Sequence, residues 1–339
     1  MVRTRGSLRS DQLLHWLAQA LIVVSPLIVL YFLLAVLKWV FNGDVVFDRQ
    51  YIVTGIAQGS VYGALALALV LIYRSTDVIN FAQGEMAMFC TFISWSLITQ
   101  AHWNWYAALV GTLVFSAIFG AIIQRVVIRP IENAPLLTVV IVTLGLFQVV
   151  NSLGVFIWQT QPKTIVAPYA KVGTKAIQIF GASLGRTYVG ALVITIVVMG
   201  LIYVFFNYTK LGLASRASAQ NPVASRLCGV PVSLMLTIGW ALAAMVGATA
   251  GVVAVPIQGL DPEFMQGLLL YAFAAAVLGG LDSPVGAVVG GFLIGIIQNV
   301  VGGSALLKDI KDPVAFVVII LVLVVRPTGL LGSKQVRKV

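Results

Sequence analysis

Ten runs of apolar residues, most of them long enough to cross a bilayer as a helix, dominate this 339-residue chain. About 20 apolar residues in a helix span the roughly 30 Å hydrocarbon core of a membrane. Only 9% of the residues are charged, against about 25% in a soluble globular domain. The runs lie at 16–41, 51–73, 78–100, 104–124, 136–158, 187–206, 232–255, 267–281, 284–301 and 313–325. They predict an all-α polytopic integral membrane protein with about ten transmembrane helices in one membrane domain.

The positions of the basic residues predict the orientation of these spans. Lys and Arg number 21 against 11 Asp and Glu, and a basic excess in a membrane protein marks its cytoplasmic loops. Placing the N-terminus in the cytoplasm puts 13 of the 21 basic residues on that side. The run at 16–41 is interpreted as a first span rather than a cleaved signal, because no small-residue cleavage site follows it. Both termini are therefore predicted to be cytoplasmic, and the long loop at 159–186 to face outward.

Small residues recur at helical spacing within two of the spans. Gly55, Gly59 and Gly63 repeat every four residues, and Gly291 and Gly295 do the same. Such stripes let neighbouring helix backbones approach closely in a membrane. We interpret them as packing surfaces, which give no indication of a substrate.

Polar residues interrupt the span at 78–100. Asn80, Gln83 and Glu85 lie near its start, and a helix from Val78 would place Glu85 about 10 Å from the cytoplasmic end. An unpaired ionisable group there costs about 3 kcal/mol or more, so a cavity or a partner is required. The alternative is that Gly84 breaks the segment and Glu85 meets the positive end of a half-helix. With Gln58 on the preceding span, these residues are candidates for a translocation path.

Four further polar residues lie within or near the ends of spans, and most of them are expected to form hydrogen bonds between helices. They are Gln148, Asn151, Gln298 and Asn299. The sequence "GGLDSPVG" at 279–286 favours a turn.

The segment at 209–231 carries the signals of a short helix outside the membrane. Asn221 is a favoured N-cap, Pro222 suits the first helical position, and Gly229 suits the residue after a helix end. A helix of about two turns is unstable alone in water, so it must be held against something. It is expected either to sit in a groove of another protein or to pack as a surface loop on its own bundle. The small residues Ala217, Ala219, Ala224 and Ser225 favour close approach.

The sequence contains no motif for catalysis or for a metal. It lacks a nucleophile triad, an HExxH pair and a GxxxxGK[ST] phosphate loop. No basic run is interleaved with aromatic residues, so no nucleic-acid partner is expected. We therefore predict a transport subunit with no catalytic residue, no metal and no cofactor of its own.

Three stretches resemble permease subunits of branched-chain amino acid ABC importers. "TKLGLASRASAQNPVASRLCGV" (209–230) is similar to the cytoplasmic coupling loop of that family. "GIAQGSVYGALALALVLIYRSTDVINFAQGEMAMF" (55–89) is similar to its N-terminal signature, and "VVRPTGLLG" (324–332) to its ending. The resemblance implies the ABC importer permease fold over 51–332, with an N-terminal extension and first span at 1–50 and a basic tail at 333–339. By the same resemblance, the ATPase-coupling residues are Gly212, Arg216, Ala217, Ala219, Asn221, Pro222, Ala224, Ser225 and Gly229.

The resemblance also implies the partners. These are a second homologous permease, two cytoplasmic ATPases that bind ATP and Mg, and an extracytoplasmic substrate-binding protein, assembled among the lipids of a bacterial inner membrane. The substrates expected are branched-chain or related amino acids. Two alternatives stay open, namely a permease of the same family for urea or amides, and a secondary transporter. Val223 and Ser225 depart from the family pattern, in which an acidic residue and alanine are common.

Overall fold

The computed structural model describes residues 48–332, apart from residues 77, 133, 170–175, 180 and 304–312. The predicted first span at 16–41 and the basic tail at 333–339 lie outside the described residues. The helices are α1 (Arg49–Thr76), α2 (Gln83–Thr99), α3 (Trp105–Ile123), α4 (Leu136–Trp158), α5 (Arg186–Tyr208), α6 (Lys210–Gln220), α7 (Pro222–Leu227), α8 (Val232–Gln258), α9 (Phe264–Gly279), α10 (Pro284–Gly302) and α11 (Pro313–Val325). After α3 the chain continues as a π-helical turn at Gln124–Ile128 and a 3₁₀ turn at Arg129–Ile131.

Most of the described chain is helical, and the apolar helices lie at the predicted apolar runs. Within the described residues, six helices are long and apolar enough to cross a membrane: α1, α3 with its continuation, α4, α5, α8 and α10. Shorter apolar helices lie at α9 and in α11. The chain is therefore a multi-pass membrane protein.

The prediction of an all-α chain missed a small sheet in the long loop. Strands β1 (Ile177–Ile179) and β2 (Ala182–Leu184) pair antiparallel, with Gln178 opposite Ser183. Gly181 has a positive φ of 81° at the turn, a conformation that glycine adopts without steric cost. A hairpin this short depends on its packing, which a reading of local sequence does not reveal.

Helices α1 and α8 form the centre of the bundle. The apolar window of α1 is 89% buried, whereas that of α4 or α5 is 22% buried. The outer helices expose apolar side chains such as Phe156 and Leu201. This distribution is the one a lipid environment allows, because lipid tails accept apolar side chains that water would not.

The two glycine stripes pack against each other. A Cβ atom added at Gly59 would lie 2.7 Å from the carbonyl oxygen of Gly291, and one added at Gly55 would lie 2.7 Å from Cα of Ile296. Such distances leave no room for any side chain, so the backbones of α1 and α10 are in direct contact. The predicted packing role of these glycines is confirmed, and the structure adds that the stripes are partners.

Segments remote in sequence gather at the two ends of the bundle. At one end, Gln50 at the start of α1 donates to the carbonyl of Ser183 in β2 (2.8 Å) and accepts from its amide (2.9 Å). Lys163 in the long loop exchanges two backbone hydrogen bonds with Leu260, at 2.8 and 2.9 Å. At the other end, the amide of Leu330 donates to Leu278 O (2.8 Å), so the "VVRPTGLLG" ending caps the turn between α9 and α10.

Candidate functional site

The segment at 209–231 folds as two consecutive helices joined at a single residue. Thr209 caps α6, because its hydroxyl accepts a hydrogen bond from the amide of Gly212 (3.0 Å). Asn221 caps α7, because its side-chain oxygen accepts from the amide of Ala224 (2.9 Å). Gly229 follows α7 with a positive φ of 79°. The predicted two-turn helix with these caps is confirmed, whereas α6 was not predicted.

Helix α7 exposes most of its surface. Val223 and Leu227 are 67% and 86% exposed, and their spacing of four residues places them on one face. Ala224 is exposed beside them, whereas Ser225 is buried. Val223 and Leu227 therefore form an apolar projection on α7, flanked by the small Ala224.

The other predicted coupling residues divide between two roles. Gly212 is buried, and a Cβ there would overlap the backbone of Phe205 and Phe206, so this glycine holds α6 against the end of α5. Arg216 is turned towards α1, where it lines a cavity together with Arg74. These residues fix the position of the segment, while α7 presents its free surface.

The exposed members of the predicted coupling set lie around α7 and on the last turn of α6. They are Ala219, Asn221, Pro222, Ala224 and Gly229, with Ala217 partly exposed.

A second candidate site, made of polar residues, lies at the start of α2. The helix begins at Gln83 rather than near Val78, after a non-helical segment at 78–82. Gln83 Nε2 donates to the carbonyl of Ala243 (3.2 Å), about 16 Å along α8 from its first residue. The N-terminus of α2 therefore lies inside the bundle.

Glu85 is buried in the first turn of α2 and is 1% exposed. Its Oε2 accepts a hydrogen bond from Asn151 Nδ2 of α4 (3.1 Å), and the same nitrogen donates to the carbonyl of Pro262 (3.1 Å). Among the described residues, Oε1 of Glu85 is buried without a hydrogen-bond partner. The exposed Glu263 and Gln266 approach this carboxylate from the start of α9. Glu85 therefore has a polar partner and also lies at a helix N-terminus, but the helix begins at Gln83, so Gly84 lies inside it and does not break the segment.

The four candidate path residues do not form one cluster. Asn80 Nδ2 lies 3.4 Å from Gln83 Oε1, so these two residues share the buried start of α2. Gln58 lies elsewhere, on α1, where its Oε1 accepts from Asn299 Nδ2 of α10 (3.0 Å).

A second polar pair joins the same two helices beside Gln58. Tyr62 on α1 donates to Gln298 Oε1 on α10 at 2.6 Å. The prediction of hydrogen bonds between helices is confirmed for Gln298, Asn299 and Asn151.

Comparison with known proteins identifies the family. Residues 51–323 match the family described as "Branched-chain amino acid transport system / permease component". The chain belongs to this family. The match covers the described helices from α1 into α11, including the α6–α7 segment and the polar start of α2.

The relatives of this permease-family chain are similar over nearly their whole length. The high-affinity branched-chain amino acid transport system permease protein LivH of Escherichia coli K12 is 31% identical over 86% of this chain and 97% of its own. The corresponding BraD protein of Pseudomonas aeruginosa is 30% identical over the same shares. Among solved structures, PsaBC from Streptococcus pneumoniae in complex with Fab matches with a TM-score of 0.45 and 14% identity, over 83% of this chain and 92% of that chain.

Sequence reasoning missed three residues at the two sites of this permease-family chain. Leu227 was not singled out, although its distance of four residues from Val223 predicts a shared helix face. Asn151 was expected to bond between helices, but nothing in the sequence indicated Glu85 as its partner. Gln266 gave no signal, because its position near Glu85 depends on the path of the chain from α8 to α9.

Proposed function

We propose that this chain is the transmembrane permease subunit of an ATP-driven ABC importer for branched-chain or related amino acids. The observation that carries the proposal is the α6–α7 segment, which projects a capped helix with an exposed apolar face. An ion-driven carrier has no need of such a docking element. The family and the names of the relatives favour branched-chain amino acids over urea or amides.

The test is uptake by the reconstituted assembly. Proteoliposomes that contain this chain and its partner subunits should accumulate labelled leucine when ATP is present on the ATPase side. Uptake that follows a sodium or proton gradient and ignores ATP would assign the chain to the secondary transporters instead.

The proposed topology has ten spans with both termini in the cytoplasm. The contacts between loops support it, because segments assigned to one side touch each other. The long loop contacts the start of α1 and the turn before α9, all assigned outside. The ending at 326–332 contacts the turn after α9, and both are assigned inside.

The proposed partners are a second homologous permease, two cytoplasmic ATPases and an extracytoplasmic binding protein, in a bacterial inner membrane. ATP and Mg are bound by the ATPases, and this chain needs no cofactor. Residues 51–332 form the permease core, residues 1–50 an N-terminal extension with the first span, and residues 333–339 a basic tail.

We assign α7 as the element that couples the permease to its ATPase. Transport requires that ATPase states make different contacts with a rigid piece of the permease. Helix α7 is rigid in this sense, because α6 and Gly212 fix it to the end of α5. Its exposed face can occupy a groove, and a movement of that groove is transmitted to α5 and α8.

Ala224→Glu tests this assignment. Ala224 is exposed, so the isolated chain should tolerate the change within about 0.5 kcal/mol. A groove fitted to a methyl group should reject the added bulk and charge. We expect the variant to insert normally and to lose copurification with the ATPase. If copurification and substrate-stimulated hydrolysis both stayed at wild-type levels, the segment would be only a loop.

Asn80, Gln83 and Glu85 are proposed to line the translocation path, with Gln58 beside it on α1. The support is the non-helical backbone at 78–82, since such backbone at membrane depth occurs where it is buried in protein or lines a cavity. The buried Oε1 of Glu85 can accept a hydrogen bond from the ammonium group of an amino acid.

Glu85→Gln separates a path residue from a structural one. Glutamine keeps the size of the side chain and an oxygen for Asn151, but it loses the negative charge. We expect the variant to assemble normally and to transport at least ten-fold more slowly. Normal transport would leave Glu85 with a structural role only.

A further inference from the structure

A cavity, the slot, opens between α1, α5 and α10 at the end of the bundle that carries α6. Its volume is about 580 Å³. Apolar side chains line most of it, including Leu67, Met199, Val288 and Phe292. The lining on α5 runs from Ile196 to Asn207, which corresponds to about 16 Å along a helix. One leaflet of the hydrocarbon core is about 15 Å thick, so the slot matches a single leaflet.

Two arginines close the end of this slot. Arg74 from the end of α1 and Arg216 from α6 both line it, and they are close enough to repel each other. Asp282 is an acidic neighbour of Arg74 and offsets part of its charge. Among the described residues, Nε of Arg216 is buried without a hydrogen-bond partner, and its Nη1 lies 3.5 Å from Asn207 Oδ1. The pair therefore has unused positive charge and an unused donor.

A slot of this composition requires an occupant with an anionic head and an apolar tail. Guanidinium groups bind phosphate oxygens through several N–H donors at once. Basic pockets between transmembrane helices on the cytoplasmic side are suited to anionic lipid head groups. We propose that the slot binds one anionic phospholipid of the inner leaflet, with its phosphate on Arg74 and Arg216 and an acyl chain between α5 and α10.

The charge of the chain's own N-terminal segment argues against it as the occupant. Residues 1–41 contain Arg3, Arg5, Arg9 and Lys38 against a single acidic residue, Asp11. A segment with this charge is repelled by an arginine pair, whereas a phospholipid phosphate is attracted. The site rests on the proposed topology only for the choice of leaflet.

Lipid retention by the purified full chain tests the proposal without any transport measurement. The chain is exchanged into nanodiscs of phosphatidylcholine that contain a small fraction of phosphatidylglycerol, re-extracted, and analysed for bound lipid by native mass spectrometry. We expect about one phosphatidylglycerol per wild-type chain. Each basic residue near a membrane surface contributes about a five-fold preference for anionic lipid, so Arg74→Gln with Arg216→Gln should weaken retention about thirty-fold. Arg125→Gln removes an exposed arginine outside the slot and should leave retention unchanged.

A second variant blocks the tail without touching the arginines. Gly200 lines the slot, and a Cβ atom added there meets nothing within 4 Å. Gly200→Leu should therefore fold normally and reduce phosphatidylglycerol retention. Gly145→Leu is the matched control, because Gly145 is equally open but lies on α4 outside the slot.

Three results would overturn the proposal. Retention that is unchanged in both the arginine pair and Gly200→Leu would show that lipid binds elsewhere. Glycerophosphoglycerol, the head group without acyl chains, would identify a free-phosphate site if it displaced the lipid at equal concentration. A disulfide between Gly200→Cys and a cysteine placed within 16–41, formed in the intact membrane, would show that a protein segment fills the slot.

Discussion

Shortening Leu227 to alanine should separate the stability of this permease from its hold on the ATPase. Leu227 is 86% exposed, so the isolated chain gains little from its side chain. A surface substitution of this kind changes the free energy of unfolding by less than about 0.5 kcal/mol. In the assembled transporter the same side chain is proposed to be buried in a groove. Removing its three extra carbon atoms then costs about 2 kcal/mol, at about 0.8 kcal/mol for each buried methylene.

The binding loss follows from that energy. A change of 1.4 kcal/mol is ten-fold in Kd, so about 2 kcal/mol corresponds to roughly thirty-fold weaker binding. The Kd is measured by titrating purified ATPase into the permease in nanodiscs, and unfolding is followed by thermal denaturation of the same samples.

The matched control is Leu137→Ala. Leu137 is 69% exposed and lies in the first turn of α4, outside the α6–α7 segment. It should leave both Kd and Tm unchanged. The reasoning would be refuted if Leu227→Ala bound the ATPase as tightly as the wild type, or if its Tm fell while that of Leu137→Ala did not.

Three other predictions concern the packing and the orientation of the chain. Gly291→Ala places a methyl group on the backbone of Gly63. We expect this change to destabilise the fold by about 3 kcal/mol or more, seen as a lower yield of folded protein. The control is Gly145→Ala, because a Cβ atom at Gly145 meets nothing within 4 Å. Gly190→Ala puts its Cβ 2.6 Å from Cε2 of Tyr169, so it should destabilise the chain by about 1–3 kcal/mol. Tyr169→Ala in the same chain should recover part of that loss in a double-mutant cycle, and strictly additive losses would contradict the contact. Cys228 is exposed and Cys90 is buried, so an impermeant maleimide should label Cys228 in inverted vesicles but not in intact cells. A cysteine introduced as Thr160→Cys in the outward loop should be labelled in intact cells but not in inverted vesicles. Labelling of Cys228 from outside would reverse the proposed topology.

Tyr169 is largely buried, and this burial changes its ionisation. Burial, with a smaller effect of Tyr106, raises the pKa of Tyr169 to about 12. The hydroxyl is neutral at physiological pH, as it is in an ordinary tyrosine with a pKa of about 10, and the ring packs between Gly190 of α5 and Trp105 of α3.

The sequence alone determined the features that depend on a few neighbouring residues. An apolar run shows its length directly, so the membrane class and the positions of the described spans could be predicted. Helix caps are equally local, since Asn221 bonds an amide three residues away and Gly229 relieves strain at its own backbone. The glycine spacing on α1 indicated a close helix contact for the same reason.

Only the tertiary structure decided which of these helices and side chains contact each other. The sequence could not show that Gly59 packs on Gly291, because any helix with small residues could have been the partner. It placed the start of α2 too early, since the segment before Gln83 lies inside the bundle, where Gln83 contacts α8, a helix far along the chain. Both the Asn151 partner of Glu85 and the slot beneath Arg74 and Arg216 join helices far apart in the chain. Local sequence fixes what each helix can bury, but the packing of the whole bundle decides which side chains are left with an unused charge.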